Sequence, residues 1–125
     1  MGIFTEAESD YLRSGPTREL LARIATVGED GTPHVCPVGW RLDPDTEAIE
    51  IGGRDMERSK KFRDVGRTHR AAVVVDDVLP PWVPRGIEIR GRAEAVDGPE
   101  PLIRIHPEWV TSWGIDGRRH TRTTG

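Results

Sequence analysis

The only two lysines in the chain, Lys60 and Lys61, stand side by side against sixteen arginines spread over the rest of it. They sit in the order Ile49-Glu50-Ile51-Gly52-Gly53, Arg58-Ser59-Lys60-Lys61-Phe62-Arg63, Ala71-Ala72-Val73-Val74-Val75. This reads as strand, glycine-loosened turn, short basic helix and buried strand. A helix beginning near Arg58 or Ser59 points its free N–H groups at a bound ligand, and phosphate is the natural occupant. Residues 54–70 hold seven bases (Arg54, Arg58, Lys60, Lys61, Arg63, Arg67, Arg70) and three acids (Asp55, Glu57, Asp64), a local charge of +4 in a chain of −3. A nucleic-acid binder carries its basic excess over a whole face or domain, so one small anionic ligand is the better reading. The competing reading, a solvated amphipathic helix, is disfavoured because the strand and double glycine gather the bases at a helix start.

Other chemistry is sparse. A single cysteine, Cys36, excludes an internal disulfide framework and a cysteine-based zinc cluster, and among His34, Val35, Pro37 and Val38 it reads as a small buried hydrophobe in a strand. No base lies at a spacing that argues for an activated thiol. The histidines at 34, 69, 106 and 120 form no recognisable metal spacing.

The elements that must position the lysines follow from local pattern. Thr5 and Glu8 form a capping-box signature for a first helix that Gly15-Pro16 stops. Leu20–Val27 and His34–Leu42 are strands joined by the Glu29-Asp30-Gly31-Thr32 turn. After Asp43-Pro44-Asp45-Thr46, residues 47–52 form a third strand with Ile49 and Ile51 on one face. The basic helix turns Met56, Phe62 and Val65 inward and ends at Gly66. Residues 70–77 form a central strand buried on both faces, followed by a stiff proline loop, 78–85, that enters no ladder. From Gly86 to Val96, Ile87, Ile89, Gly91, Ala93 and Ala95 alternate with Glu88, Arg90, Arg92 and Glu94, a strand with one wet face. Leu102–Trp113 is a last strand that His106-Pro107 interrupts, demanding an edge position or a bulge. Residues 1–114 thus read as one domain, and 115–125 as a polar flexible tail.

Six strands, short hairpins and helices only at the start and after the third strand describe a small antiparallel β-barrel. At 125 residues with 35% hydrophobic side chains, such a barrel is expected to complete its burial as a homodimer. No apolar stretch is long enough to span a bilayer and the N-terminus has no secretion signal, so a cytoplasmic protein is expected.

These segments resemble the pyridoxamine 5′-phosphate oxidase-like family of flavin and deazaflavin binders, whose fold is the split β-barrel. The resemblance is carried by Ala25-Thr26-Val27 before the Asp-Gly-Thr-Pro hairpin, by Pro37-Val38-Gly39-Trp40, and by Ser59-Lys60-Lys61 ahead of the valine-rich strand. Ile49–Gly53, Pro84–Gly91, Ile103–Pro107 and Ser112-Trp113-Gly114 look like the branch that uses coenzyme F420.

The resemblance implies that Ser59, Lys60 and Lys61 hold a cofactor phosphate with Arg58 beside them. It also implies that Val38, Gly39 and Trp40 lie along the cofactor ring, that Gly53 contributes to cofactor binding, and that a dimer partner closes the site through Arg85 and Trp113. Cys36 falls where the oxidase has a basic phosphate-gripping residue, and the oxidase's longer C-terminal substrate-binding portion is lacking, which argues against pyridoxamine phosphate as substrate. The expected activity is hydride transfer between reduced F420 and a small organic molecule, with no nucleophile and no metal. FMN in the same seat, a non-catalytic cofactor carrier, and a nucleic-acid-binding barrel using Trp82 are the alternatives, the last ranked lowest.

Overall fold

The computed structural model describes residues 2–13 and 20–124. Helix α1 (Glu6–Arg13) leads into β1 (Ala22–Val27), β2 (Pro33–Val38), β3 (Arg41–Leu42) and β4 (Ile49–Ile51). A 3-10 turn at Met56–Arg58 then gives way to α2 (Lys60–Thr68), followed by β5 (Arg70–Leu79), β6 (Val83–Val96), β7 (Leu102–Trp113) and β8 (His120–Thr123). All pairings are antiparallel in the order β2-β1-β5-β6-β7-β4-β3, with β8 on β7.

The expected single strand from His34 to Leu42 is broken at Gly39-Trp40, and the break closes the fold. β2 lies at one end of the sheet order and β3 at the other, yet three residue steps join Val38 to Arg41. Extended chain covers at most about 11 Å in that distance, so the two ends of the sheet must come together. The sheet is therefore curled into a split barrel around Ile24, Ile49, Ile51, Val73, Val75, Ile87, Ile89, Ile103 and Ile105, all essentially without exposure.

Several expectations are corrected. Among the described residues eight strands replace six, because of the break in the second strand and because β8 pairs residues 120–123 with β7. Those residues are not a free tail: Arg122 makes a bidentate ion pair with buried Glu8 of α1, at 2.8 and 2.9 Å. The proline loop does enter a ladder, since β5 and β6 pair out to Leu79 opposite Val83, with Pro84 opposite Val78. Pro84 is tolerated because β6 meets β7 only from Gly86 onward, so one side of the strand there has no bonds to lose. Gly66 does not cap α2; His69 does, at φ 58°, donating its N–H to the Val65 carbonyl. The second face of β5 is only half covered, at Ala72 and Val74.

Other expectations hold. Thr5 and Glu8 form the reciprocal capping box, at 2.9 and 3.1 Å; its stop at Gly15-Pro16 lies outside the described residues. The His106-Pro107 interruption is a bulge: register slips so that Arg90 faces Trp109 while Gly91 faces Pro107. Gly91 is required there, since a Cβ would stand 1.9 Å from the His106 carbonyl oxygen. Among the described residues no helix is long and apolar enough to cross a membrane.

Candidate functional site

Helix α2 is anchored at both ends of its first turn. Ser59 is the N-cap, its Oγ accepting from the Phe62 N–H at 3.3 Å and donating to the Met56 carbonyl at 2.7 Å. Met56, 2% exposed, plugs the 3-10 turn beneath it. Phe62 and Val65 face the core as their spacing predicts, and so does Asp64, which the sequence offers as one more surface acid.

Asp64 is 1% exposed. Its carboxylate accepts from Thr26 Oγ1 on β1 at 2.9 Å and pairs with Lys60 at 3.7 Å and Arg67 at 3.5 Å. Burial pushes its pKa up, but the Thr26 hydrogen bond and the two cations outweigh burial and hold it below the usual aspartate range. Arg67 also donates to the Val27 carbonyl, tying α2 to the end of β1. The spacing that creates this cluster, i to i+4 and i to i+3 on a helix, is visible in the sequence; that the cluster is buried is not.

Lys61 differs from its neighbour. It is half-buried and has no carboxylate partner among the described residues. Lys60 and Lys61 line a cavity of about 190 Å³ together with Ile24, Thr26, His34, Val35 and Cys36. Cys36 is half-buried in this wall rather than in the core. A half-buried ammonium without a carboxylate, at the start of a nine-residue helix, fits an anionic group such as phosphate.

A second cavity has a volume of about 690 Å³. Gly39, Trp40, Arg41, Gly52, Gly53 and Leu102 form part of its lining. From Cys36 in the first cavity to Gly39 in the second is three residues, about 10 Å of extended chain. The indole of Trp40 is held by a 2.9 Å hydrogen bond to the Leu20 carbonyl. Glu50, 5% exposed, sits at the back between Arg41 of β3 (2.7 Å) and Arg104 of β7 (3.1 Å). Register puts these residues directly opposite one another, Arg41 on Glu50 and Glu50 on Arg104, so Glu50 is not the wet residue of its strand that alternation implies.

Of the residues singled out in the sequence, the chain thus brings Gly39, Trp40 and Gly53 to the large cavity and Lys60 and Lys61 to the small one. Val38 is buried between them and Ser59 is spent on capping. Arg58 is exposed, its carbonyl accepting from Arg63 at 3.1 Å. Arg85 and Trp113 lie at the far end of β6 and β7, where Gly86 faces Trp113. Eight residues separate Arg85 from Ala93, on the stretch of β6 that packs near α2, a distance of about 26 Å. Within one chain Arg85 is bound to Asp77 by two hydrogen bonds of 2.8 and 2.9 Å and lies 5.0 Å from the Tyr11 ring centre. Residues the sequence reading missed are Asp64, Thr26, Arg41 and Glu50.

Comparison with known proteins is consistent with this geometry. Residues 9–114 match the sequence profile of the family described as pyridoxamine 5′-phosphate oxidase. A 5a,11a-dehydrotetracycline/5a,11a-dehydrooxytetracycline reductase of Streptomyces rimosus is 42% identical, the match covering 91% of this chain and 85% of that one. Among solved structures, the FAD-binding protein of Mycobacterium smegmatis superposes with a TM-score of 0.66 at 20% identity, covering 94% of this chain and 95% of the other. An F420 reductase superposes with a TM-score of 0.60 at 19% identity, covering 81% and 94%. The split barrel, the helix-start lysines and the match over nearly the whole length agree: the chain belongs to the pyridoxamine 5′-phosphate oxidase family.

Proposed function

We propose that this protein is an oxidoreductase that holds coenzyme F420 by its phosphate at the start of α2 and transfers hydride to an unsaturated carbon or imine of a small organic molecule. The observation that carries the reading is Lys61, a half-buried cation without a carboxylate partner among the described residues, facing a cavity next to a larger one. The relative in Streptomyces rimosus, a reductase at 42% identity, supports the reaction class.

When bound, the deazaflavin supplies the hydride from its own ring carbon. The chain's own task is to bind and orient. Lys61 and the first N–H groups of α2 take the phosphate, while Lys60 stays shared with Asp64. Gly39, Trp40 and Gly53 bound the space for ring and substrate, with Trp40 fixed in orientation by its bond to Leu20. Exposed Arg54, Arg58 and Arg63 flank the seat and suit an anionic tail, each contact worth about 0–1 kcal/mol.

We place the working site in a homodimer. Val35 is 71% exposed on β2, and with Leu21, Val27 and the half-covered Ala72 and Val74 it makes a partly apolar outer face on β2-β1-β5, crossed by the Arg23–Asp76 ion pair, that suits a second copy. In that arrangement Arg85 and Trp113 reach the site from the second copy.

Titration of the purified protein with F420, followed by cofactor fluorescence, tests the reading; saturable binding lost in K61A supports it, and no binding by the unaltered protein refutes it. A second reading, flavin in the same seat, is favoured by the likeness to the FAD-binding protein. Yellow protein that releases FMN on denaturation would decide for it. Tight cofactor binding without hydride transfer to any of a broad panel of acceptors would decide for a carrier.

A further inference from the structure

We propose that His34 is a third, titrating member of the phosphate seat, so that the protein's grip on the phosphate tightens as the pH falls. This rests on the seat reading above and adds a residue to it. His34 and Cys36 are two residues apart on β2 and line the same cavity as Lys60 and Lys61. Gly28 marks how close the groups come. A Cβ placed on it would stand 2.8 Å from His34 Nε2 and 3.4 Å from Lys60 Nζ. The imidazole edge and the ammonium therefore converge on one point at the end of β1, beside the cavity.

The groups that face His34 come from every neighbouring element. Helix α2 presents Lys60 and Lys61, with Asp64 behind them. The β1–β2 turn presents Asp30. Strands β1 and β2 contribute the uncharged Ile24, Thr26 and Cys36. A bound phosphate adds negative charge on the cavity side, which favours the protonated ring. An imidazole changes charge between pH 5 and 8, so by linkage the ligand and the proton bind together, each strengthening the other. Cys36, lining the same cavity, offers no cation, and His34 supplies one on demand.

The test compares unaltered protein with H34Q, H34K and K61A by calorimetric titration with F420 at pH 8 and pH 5.5, folding being checked by circular dichroism. Any titration of the ligand itself is common to all four proteins and cancels in the ratio of their affinities. The expected result is that the weakening of H34Q relative to the unaltered protein is about tenfold greater at pH 5.5 than at pH 8, the worth of one charge-assisted hydrogen bond. H34K should bind with the same advantage at both pH values. An H34Q-to-unaltered ratio that does not change with pH overturns the proposal while leaving the seat intact. Undiminished binding by K61A at both pH values, or no binding by the unaltered protein, overturns the seat reading itself and this proposal with it.

Discussion

Thr26 on β1 and Asp64 on α2 are 3% and 1% exposed and share a 2.9 Å hydrogen bond, so the helix that carries the lysines is bolted to the first strand by a buried carboxylate. Removing that carboxylate leaves Thr26 without its acceptor and Lys60 and Arg67 without their shared partner. D64A is expected to lose about 3 kcal/mol of stability, measured by urea unfolding. Asp64 ionises more readily folded than unfolded, so its contribution is full above the ordinary aspartate range and fades as the pH falls through its lower folded value. Stability of D64N should accordingly fall less steeply than that of the unaltered protein between about pH 4 and pH 2.

Tyr11 is the only tyrosine in the chain, which makes its phenol spectroscopically visible alone. Burial, then its 2.7 Å hydrogen bond to Asp77 and the charge of that residue, push its pKa well up. Absorbance at tyrosinate wavelengths should therefore rise only well above pH 10, the ordinary tyrosine midpoint. In D77N the midpoint should move down toward 10. A midpoint unchanged in D77N would mean that burial alone holds the phenol.

Glu50 compensates two arginines from opposite sides, Arg41 of β3 and Arg104 of β7. E50A is expected to cost about 1–2 kcal/mol, because exposed Arg41 falls back on solvent and Arg104 keeps Glu94 at 3.5 Å. E50Q should cost less, since the amide oxygen still accepts. Thermal unfolding of both variants, with the order reversed, would show that Glu50 contributes little beyond its volume.

The two lysines should separate in function. K61A is expected to weaken cofactor binding by about 2–3 kcal/mol, the cost of one charge-assisted phosphate contact, with stability unchanged. K60A should weaken it less and cost under about 1 kcal/mol of stability, because half-exposed Lys60 already shares its charge with Asp64 at 3.7 Å. Equal effects of the two substitutions on fluorescence-measured affinity would place the phosphate symmetrically between them.

Arg122 and Glu8 join the last strand to the first helix through a bidentate pair whose carboxylate is buried. R122A should destabilise the protein by about 3 kcal/mol and expose the amide protons of β8 to exchange. Retained protection at residues 120–123 would show that the β7 ladder alone holds the strand.

The reading of the chain failed where a residue's fate depended on something distant. Asp64 and Glu50 look like surface acids in any window of the sequence, yet both are buried, Asp64 against the Thr26 hydroxyl of β1 and Glu50 between Arg41 of β3 and Arg104 of β7. Pro84 looks like a ladder breaker and is not, because β7 ends its pairing with β6 two residues short of it. Residues 120–123 look like tail and form a strand, since Arg122 finds Glu8 over a hundred residues away.

What the sequence determined by itself is whatever depends on neighbours in the chain. The capping box at Thr5 and Glu8, the hairpin at Asp30-Gly31, the in-out alternation from Ile87 to Ala93, the bulge at His106-Pro107 and the helix start at Ser59 all follow from dihedral preference and period, which act over a few residues. Only the tertiary structure decided that Gly39 and Trp40 join the two ends of a curled sheet, that Lys60 is shared with buried Asp64 while Lys61 has no carboxylate partner among the described residues, and that Arg85 is bound to Asp77 at the far end of β6. Those outcomes depend on burial and on contacts between elements distant in the chain, and both exist only once the barrel has closed.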